Sequence, residues 1–469
     1  MAARVAFGPV AGKRPINADL PVPDSAAQPK PADTSPSPSL GKVDPGPETP
    51  KPQPTSAKRR RRPIPAALKA IAGLVVVAIV FLVAAVLGGD SPNRSETDST
   101  PAPAQAPPAE VPGPEETPAA EAAGELGYPS FATNNTTRVG GSDPASTAAG
   151  VALAVFPSAS PAQRPAAVTL IDEADWQGAV AAAVLMAEPV RSPLLVSTGG
   201  DLPEATEQAL SALAPQGNGD TAKAQAFVIG KAASPDDLAR VPIVGSDPAT
   251  LAAAIAAQRD RLFDGPPAHI VLAPESRPEF AAPAAAWAAR SGDPVLFSES
   301  EKLPTATARA LERHPKAPIY VLGPSAAISS GVLREAAKAG GRVRRVSGED
   351  AVENAIALAR YANGDFGWNV NDPGHGFVVA RSDAPLEAAI ASPLSASGTW
   401  GPLLLTDSAD TLPTALRDYL LDVKPGYTSD PTRAFYNHVW VIGDQEAIDV
   451  KQQADINQLA ELARIGGEP

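Results

Sequence analysis

Gly245-Ser246-Asp247-Pro248-Ala249 opens an alanine-rich stretch that has two counterparts in the chain. Gly141-Ser142-Asp143-Pro144-Ala145 precedes it and Gly348-Glu349-Asp350-Ala351 follows it, with the aspartates 104 and 103 residues apart. Two more features recur in order after each opening. Proline and a short apolar run lead to Leu-Pro: Pro193-Leu194-Leu195-Val196 with Leu202-Pro203, Pro294-Val295-Leu296-Phe297 with Leu303-Pro304, and Pro402-Leu403-Leu404-Leu405 with Leu412-Pro413. A second apolar run then closes on glycine: Phe227-Val228-Ile229-Gly230, Tyr320-Val321-Leu322-Gly323 and Val439-Trp440-Val441-Ile442-Gly443. A period near 100 residues is too long for a solenoid repeat and has the size of a small domain. It predicts three tandem modules, 138–243, 244–346 and 347–465.

Within a module, short apolar runs alternate with helical patterns. In the second they predict strand His269–Ala273, helix Glu279–Arg290, strand Pro294–Ser298, helix Pro304–Arg313, strand Ile319–Gly323 and helix Ser329–Ala339. Fully apolar strands separated by helices give a parallel sheet covered on its faces, so the fold class is α/β. Asp143-Pro144, Asp247-Pro248 and Ser234-Pro235 each place a capping side chain before proline at the first helical position.

Upstream of the modules, Ala66–Leu87 is apolar except for Lys69 at its edge. Its 22 residues match the roughly 20 needed to span a bilayer, and it has no polar face. It predicts one transmembrane helix within 63–89. Lys58, Arg59, Arg60, Arg61 and Arg62 precede it; Asp90, Glu96 and Asp98 follow, with Arg94 the one nearby base. Positive charge stays inside, which places the N-terminus in the cytoplasm and the modules outside. Residues 1–62, rich in Pro, Ala and Ser, read as a disordered cytoplasmic tail. Residues 90–130 form a Pro/Ala/Glu linker; at about 3.1 Å per residue it reaches on the order of 100 Å.

The net charge of −13 is split. Residues 1–69 hold 12 Lys+Arg against 5 Asp+Glu, so the remainder holds 27 bases against 47 acids. Such an acidic outer part is no candidate for nucleic acid. There are no cysteines, which excludes disulfides, thiolate chemistry and cysteine zinc sites.

Arg138-Val139-Gly140-Gly141-Ser142-Asp143, the helix around Ala179–Leu185, Pro193–Val196, Leu202-Pro203 and Val228-Ile229-Gly230 together resemble the cell wall binding repeat type 2 family. The likeness covers about residues 138–465. It implies Rossmann-like modules, packed in threes about a pseudo-threefold axis, in exported proteins of Gram-positive bacteria and actinobacteria. It also implies noncovalent attachment to an anionic cell-wall glycopolymer, with no catalysis and no cofactor. The opening Arg-Tyr usual in the family is absent here, where Pro144-Ala145 and Pro248-Ala249 stand. An opening arginine is found at Arg138 and at Arg344 or Arg345, but not in the second module. The alternative partner is another envelope protein, with the head acting as a scaffold.

The candidate ligand-binding residues follow from position. Asp143, Asp247 and Asp350 fall at the carboxyl edge of the expected sheets, where ligands bind in such folds, and they are equally good helix caps. Ser142 and Ser246 stand beside the first two. Glycines 140–141, 245 and 348 could free backbone N–H groups for an anion. Arg138, Lys231, Arg240, Arg342, Arg344 and Arg345 lie near module boundaries, suited to phosphate or carboxylate. Trp368 and Trp400 fall in expected loops and suit sugar stacking, whereas Trp287 and Trp440 fall in expected elements and read as core. The four histidines show no metal spacing, and no nucleophile elbow or dyad can be assembled, so neither a metal nor a catalytic residue is assigned.

Overall fold

The computed structural model describes residues 131–398 and 400–466. The expected span Ala66–Leu87, the tail and the linker lie outside the described residues. Among the described residues no helix is long and apolar enough to cross a membrane.

The chain enters with β1 (Phe131–Ala132), folded antiparallel on β2 (Thr136–Val139), followed by helix α1 (Pro144–Val155). The first sheet comes from β3 (Val168–Asp172), α2 (Trp176–Ala182), β4 (Leu194–Ser197), α3 (Glu204–Leu213), β5 (Ala226–Ile229) and β6 (Arg240–Ile243). Helix α4 (Pro248–Leu262) leads into β7 (Ile270–Pro274), α5 (Pro278–Ala281), α6 (Pro283–Ser291), β8 (Val295–Ser298) and α7 (Thr305–Glu312). That module finishes with β9 (Ile319–Leu322), α8 (Ser330–Ala339) and β10 (Val343–Val346). Helix α9 (Ala351–Arg360) leads into β11 (Gly376–Arg381), α10 (Pro385–Ile390), α11 (Ser392–Ala396), β12 (Leu403–Thr406) and α12 (Thr414–Asp422). The last elements are β13 (Gly426–Tyr427), β14 (His438–Ile442), α13 (Val450–Ala460) and β15 (Ala463–Arg464).

The strand orders are β4-β3-β5-β6, β8-β7-β9-β10 and β12-β11-β14-β2, every pair parallel. The fourth strand of the third sheet therefore comes from the start of the described chain. β2 fills the open edge of β14 with Val441 opposite Arg138 and Ile442 opposite Val139. A module boundary at 138 is drawn through this strand, and the pairing gives the strand to the third sheet. Pairing also removes an open row of backbone donors and acceptors.

The helix after each fourth strand crosses to the next sheet: α1 packs on β4, α4 on β8 and α9 on β12. This is why β4 (Leu-Leu-Val-Ser), β8 (Val-Leu-Phe-Ser) and β12 (Leu-Leu-Leu-Thr) are buried along their whole length although each ends its sheet. The alanine-rich helices α2, α6 and α10–α11 pack on one another. Ala179–Ala183, Ala284–Ala286 and Ala388–Ala389 are essentially inaccessible there, since methyl side chains let helix backbones come close.

Two expectations change locally. Glu279–Arg290 is not one helix: Pro283, which lacks an N–H, splits it into α5 and α6. Ser234-Pro235 starts no helix. Only nine residues lie between Gly230 and Arg240, whereas the second module has nineteen between Gly323 and Val343, enough for α8.

Candidate functional site

The three repeated aspartates are helix caps. Asp143 Oδ1 accepts the Ser146 N–H at 2.9 Å and Oδ2 accepts the Ser146 hydroxyl at 2.8 Å. Asp247 repeats this with Thr250 and also accepts the Ser246 hydroxyl. Asp350 accepts the Glu353 N–H at 2.8 Å. The Thr250 N–H, with the Ser246 and Thr250 hydroxyls, holds the Asp247 carboxyl below its usual range. The glycines before these caps do not leave an open anion cradle. A Cβ on Gly141, Gly245 or Gly348 would lie within 2.4 Å of an atom of Ser146, Leu251 or Glu353 and Asn354 respectively. Each glycine instead lets its loop close over the first helical turn.

Two of the arginines are spent on the fold. Arg138, 1% exposed, donates from Nε to Gln453 Oε1 at 3.0 Å and from Nη1 to the carbonyls of Gly443 (2.9 Å) and Asp444; Nη2 donates to the Ile448 carbonyl at 2.6 Å. Burial pushes its pKa down, opposed by Asp444 and Asp449. Arg345 sits at the matching register and donates to the carbonyls of Gly323 and Ile328. Both arginines clamp the loop between the third strand and its following helix. The first sheet has no such helix, and Pro242 holds that register. Arg344 is half-buried one residue earlier on β10, and the arginines do not converge with the caps.

The clefts differ in charge. At the start of α1, a cleft of about 650 Å³ includes Ser142 and Asp143 together with Glu173, Asp201 and Glu204, and among the described residues no lysine or arginine lines it. At the carboxyl edge of the first sheet, one of about 570 Å³ gathers Asp172, Asp175, Ser246 and Asp247 around a single base, Lys231. There burial raises the Asp175 carboxyl above its usual range, although it accepts the Gly178 N–H at 2.7 Å.

A third pocket, of about 450 Å³, lies between the second and third modules. Trp287, Arg290 and Asp293 come from one side, Asp365, Trp368 and Trp400 from the other. Trp368 is buried within this wall and Trp400 is 38% exposed. The rings of Trp287 and Trp368 meet edge-on at 5.6 Å, and Trp400 is 6.2 Å from Trp368. The Arg290 guanidinium lies 4.4 Å from the Trp400 ring centroid. Trp368 and Trp400, both singled out from the sequence as loop tryptophans, line this pocket, and Arg290 and Asp365 were not among the candidates. Arg290 reads as an ordinary base in the last turn of a helix, and only the packing of α6 beside residue 400 places it on the ring. Among the described residues no group of three or more His, Asp or Glu is placed to hold a metal ion.

Residues 243–333 match the family model described as cell wall binding domain 2 (CWB2). The resemblance read from the sequence is thus shown for this segment. The fold is similar to two solved structures. Cwp6 from Clostridium difficile superimposes with a TM-score of 0.56 at 18% identity, over 70% of this chain and 48% of that one. Cwp8 from Clostridium difficile gives 0.53 at 18% identity, over 70% and 52%. The chain thus spans about half the length of these structures. No curated protein matches the sequence.

Proposed function

We propose that this chain is a non-catalytic binding protein that attaches to an anionic cell-wall glycopolymer and links membrane to wall. The observation that carries this reading is the CWB2 match at 243–333, on a unit whose strand order occurs three times. In this reading the three modules form one head about a pseudo-threefold axis, supported by the mutual packing of α2, α6 and α10–α11. The Ala66–Leu87 span anchors the chain with its N-terminus inside, and residues 90–130 carry the head towards the wall. Each crossing helix ties one module to the next, so a pull on a bound polymer spreads over the head.

Co-sedimentation of the full chain in detergent with purified walls tests this. Binding that disappears when the anionic polymer is stripped supports it; binding that survives stripping refutes the glycopolymer as ligand.

One observation favours a second reading. The cleft around Asp143, Glu173, Asp201 and Glu204 is acidic and repels a polyanion. It suits a basic segment of another envelope protein, with the head as scaffold. Retention of binding on stripped walls carrying their proteins, and its loss after protease treatment of those walls, would support that role.

A further inference from the structure

The pocket between the second and third modules has a rigid floor. Asp293, 1% exposed, accepts the His269 backbone N–H at 2.9 Å, His269 Nδ1 at 3.1 Å and the Trp287 indole N–H at 2.9 Å. With three donors on one carboxylate, the Trp287 ring is held in place against Trp368. The Trp368 indole N–H is buried without a hydrogen-bond partner among the described residues. Leaving a buried donor this way is costly, so the wall is not optimised for packing alone.

Above the floor the chemistry changes. The Arg290 guanidinium lies over the Trp400 ring, a cation–π contact that holds it at the pocket. Its N–H groups have no hydrogen-bond partner or ion pair among the described residues. A guanidinium held there with unspent donors matches carboxylate or phosphate through two parallel bonds. Asp365, exposed on the same pocket, offers carboxylate oxygens that hydroxyls can donate to. The aromatic surface then continues outward. The His375 ring is 6.2 Å from Trp400, Phe435 packs against Gly374, and Phe435 and Tyr436 are 70% and 52% exposed.

We infer that this pocket is a subsite for one acidic sugar residue of the wall polymer. The sugar ring packs on the exposed part of Trp400, which Trp368 and Trp287 back from behind, its anionic group pairs with Arg290, and its hydroxyls meet Asp365. The neighbouring sugars run over Phe435 and Tyr436. The inference rests on the wall-binding reading and adds which module boundary holds the ligand and by what chemistry. It also explains how an acidic head can hold a polyanion: one fixed base in an aromatic pocket does so without a basic surface.

The probe is the soluble anionic polymer released from purified walls, titrated into the full chain with tryptophan fluorescence and wall co-sedimentation as readouts. Trp400→Ala and Arg290→Gln are expected to weaken binding roughly tenfold or more, as for loss of an aromatic or charge-assisted anchor. Arg290→Gln should also flatten the salt dependence, and Arg290→Lys should restore only part of the affinity because it lacks the planar fork. Lys451→Gln, on the surface of α13, should bind as wild type. Carboxyl-reduced polymer and phosphate-stripped polymer identify which anion Arg290 reads. Wild type that binds walls while both pocket variants stay within twofold overturns the subsite and leaves the wall-binding reading standing. Wild type that fails to bind walls overturns both.

Discussion

Replacing Arg138 with methionine keeps most of the side-chain volume and removes its hydrogen bonds. The backbone carbonyls of Gly443 and Ile448 lose their donor, that of Asp444 keeps only the Ile448 N–H, and Gln453 Oε1 loses its partner. A buried acceptor left unsatisfied costs about 1–3 kcal/mol, so the two carbonyls left without a donor amount to roughly 2–6 kcal/mol. Removing the guanidinium also relieves its own desolvation, worth several kcal/mol. The net expectation is a loss of about 3–5 kcal/mol, the range found when one partner of a buried charged network is deleted. The loss is local: it frees β2 from β14 and opens the edge of the third sheet. Amide hydrogen exchange of Val439–Ile442 in Arg138→Met should therefore accelerate by roughly two to three orders of magnitude, since about 1.4 kcal/mol is tenfold. Arg345→Met, which loses two carbonyl contacts from a half-buried site and no buried glutamine partner, should open its loop less. Exchange within tenfold of wild type in Arg138→Met would refute the clamp and return Arg138 to the list of possible ligand residues.

Two further outcomes follow from the carboxylates. Asp247→Ala should cost about 1 kcal/mol, measured as a lower urea midpoint, because it strips the cap from α4. The folded Asp247 pKa is depressed, so its ionised form adds stability above the unfolded value of about 3.9, and this is lost as pH falls through the folded value. The wild-type advantage over Asp247→Ala should therefore shrink between pH 5 and pH 2; the group is exposed and the effect small. Glu387 behaves oppositely: burial first, then Asp444, Asp143 and Asp383, raise its pKa. Its protonated form is the one the fold favours, so it opposes stability increasingly as pH rises past about 4.3. Glu387→Gln should raise the melting temperature at pH 7 and change it little at pH 4; no gain at pH 7 would refute the assignment.

The triplicated unit, the parallel sheets and the three capping aspartates were legible in the sequence. Apolar runs such as Leu194-Leu195-Val196 and Asp-Pro steps encode local structure that depends little on distant residues. In the second module, three strands and the helices between them lie within a residue or two of their expected bounds, apart from the split at Pro283. The fourth strands had a place in the sequence, just before each capping aspartate, but no legible bounds. Thr136–Val139, Arg240–Ile243 and Val343–Val346 carry arginine, threonine or proline, hold four residues each and show no apolar alternation. Backbone pairing to a formed edge makes them strands, not their own composition.

Tertiary structure alone decided what the arginines and tryptophans do. Arg138 and Arg344-Arg345 look alike in sequence as bases near a boundary. Strand register sends Arg138 and Arg345 onto buried carbonyls, because side chains alternate faces along a strand. Arg290 and Trp400 are 110 residues apart, and no local signal joins them. They meet because the alanine-rich helices pack closely enough to bring two modules into contact. Local physics thus sets which elements form. Which polar side chains stay available for a ligand depends on contacts between residues far apart in the chain, which no window of sequence contains.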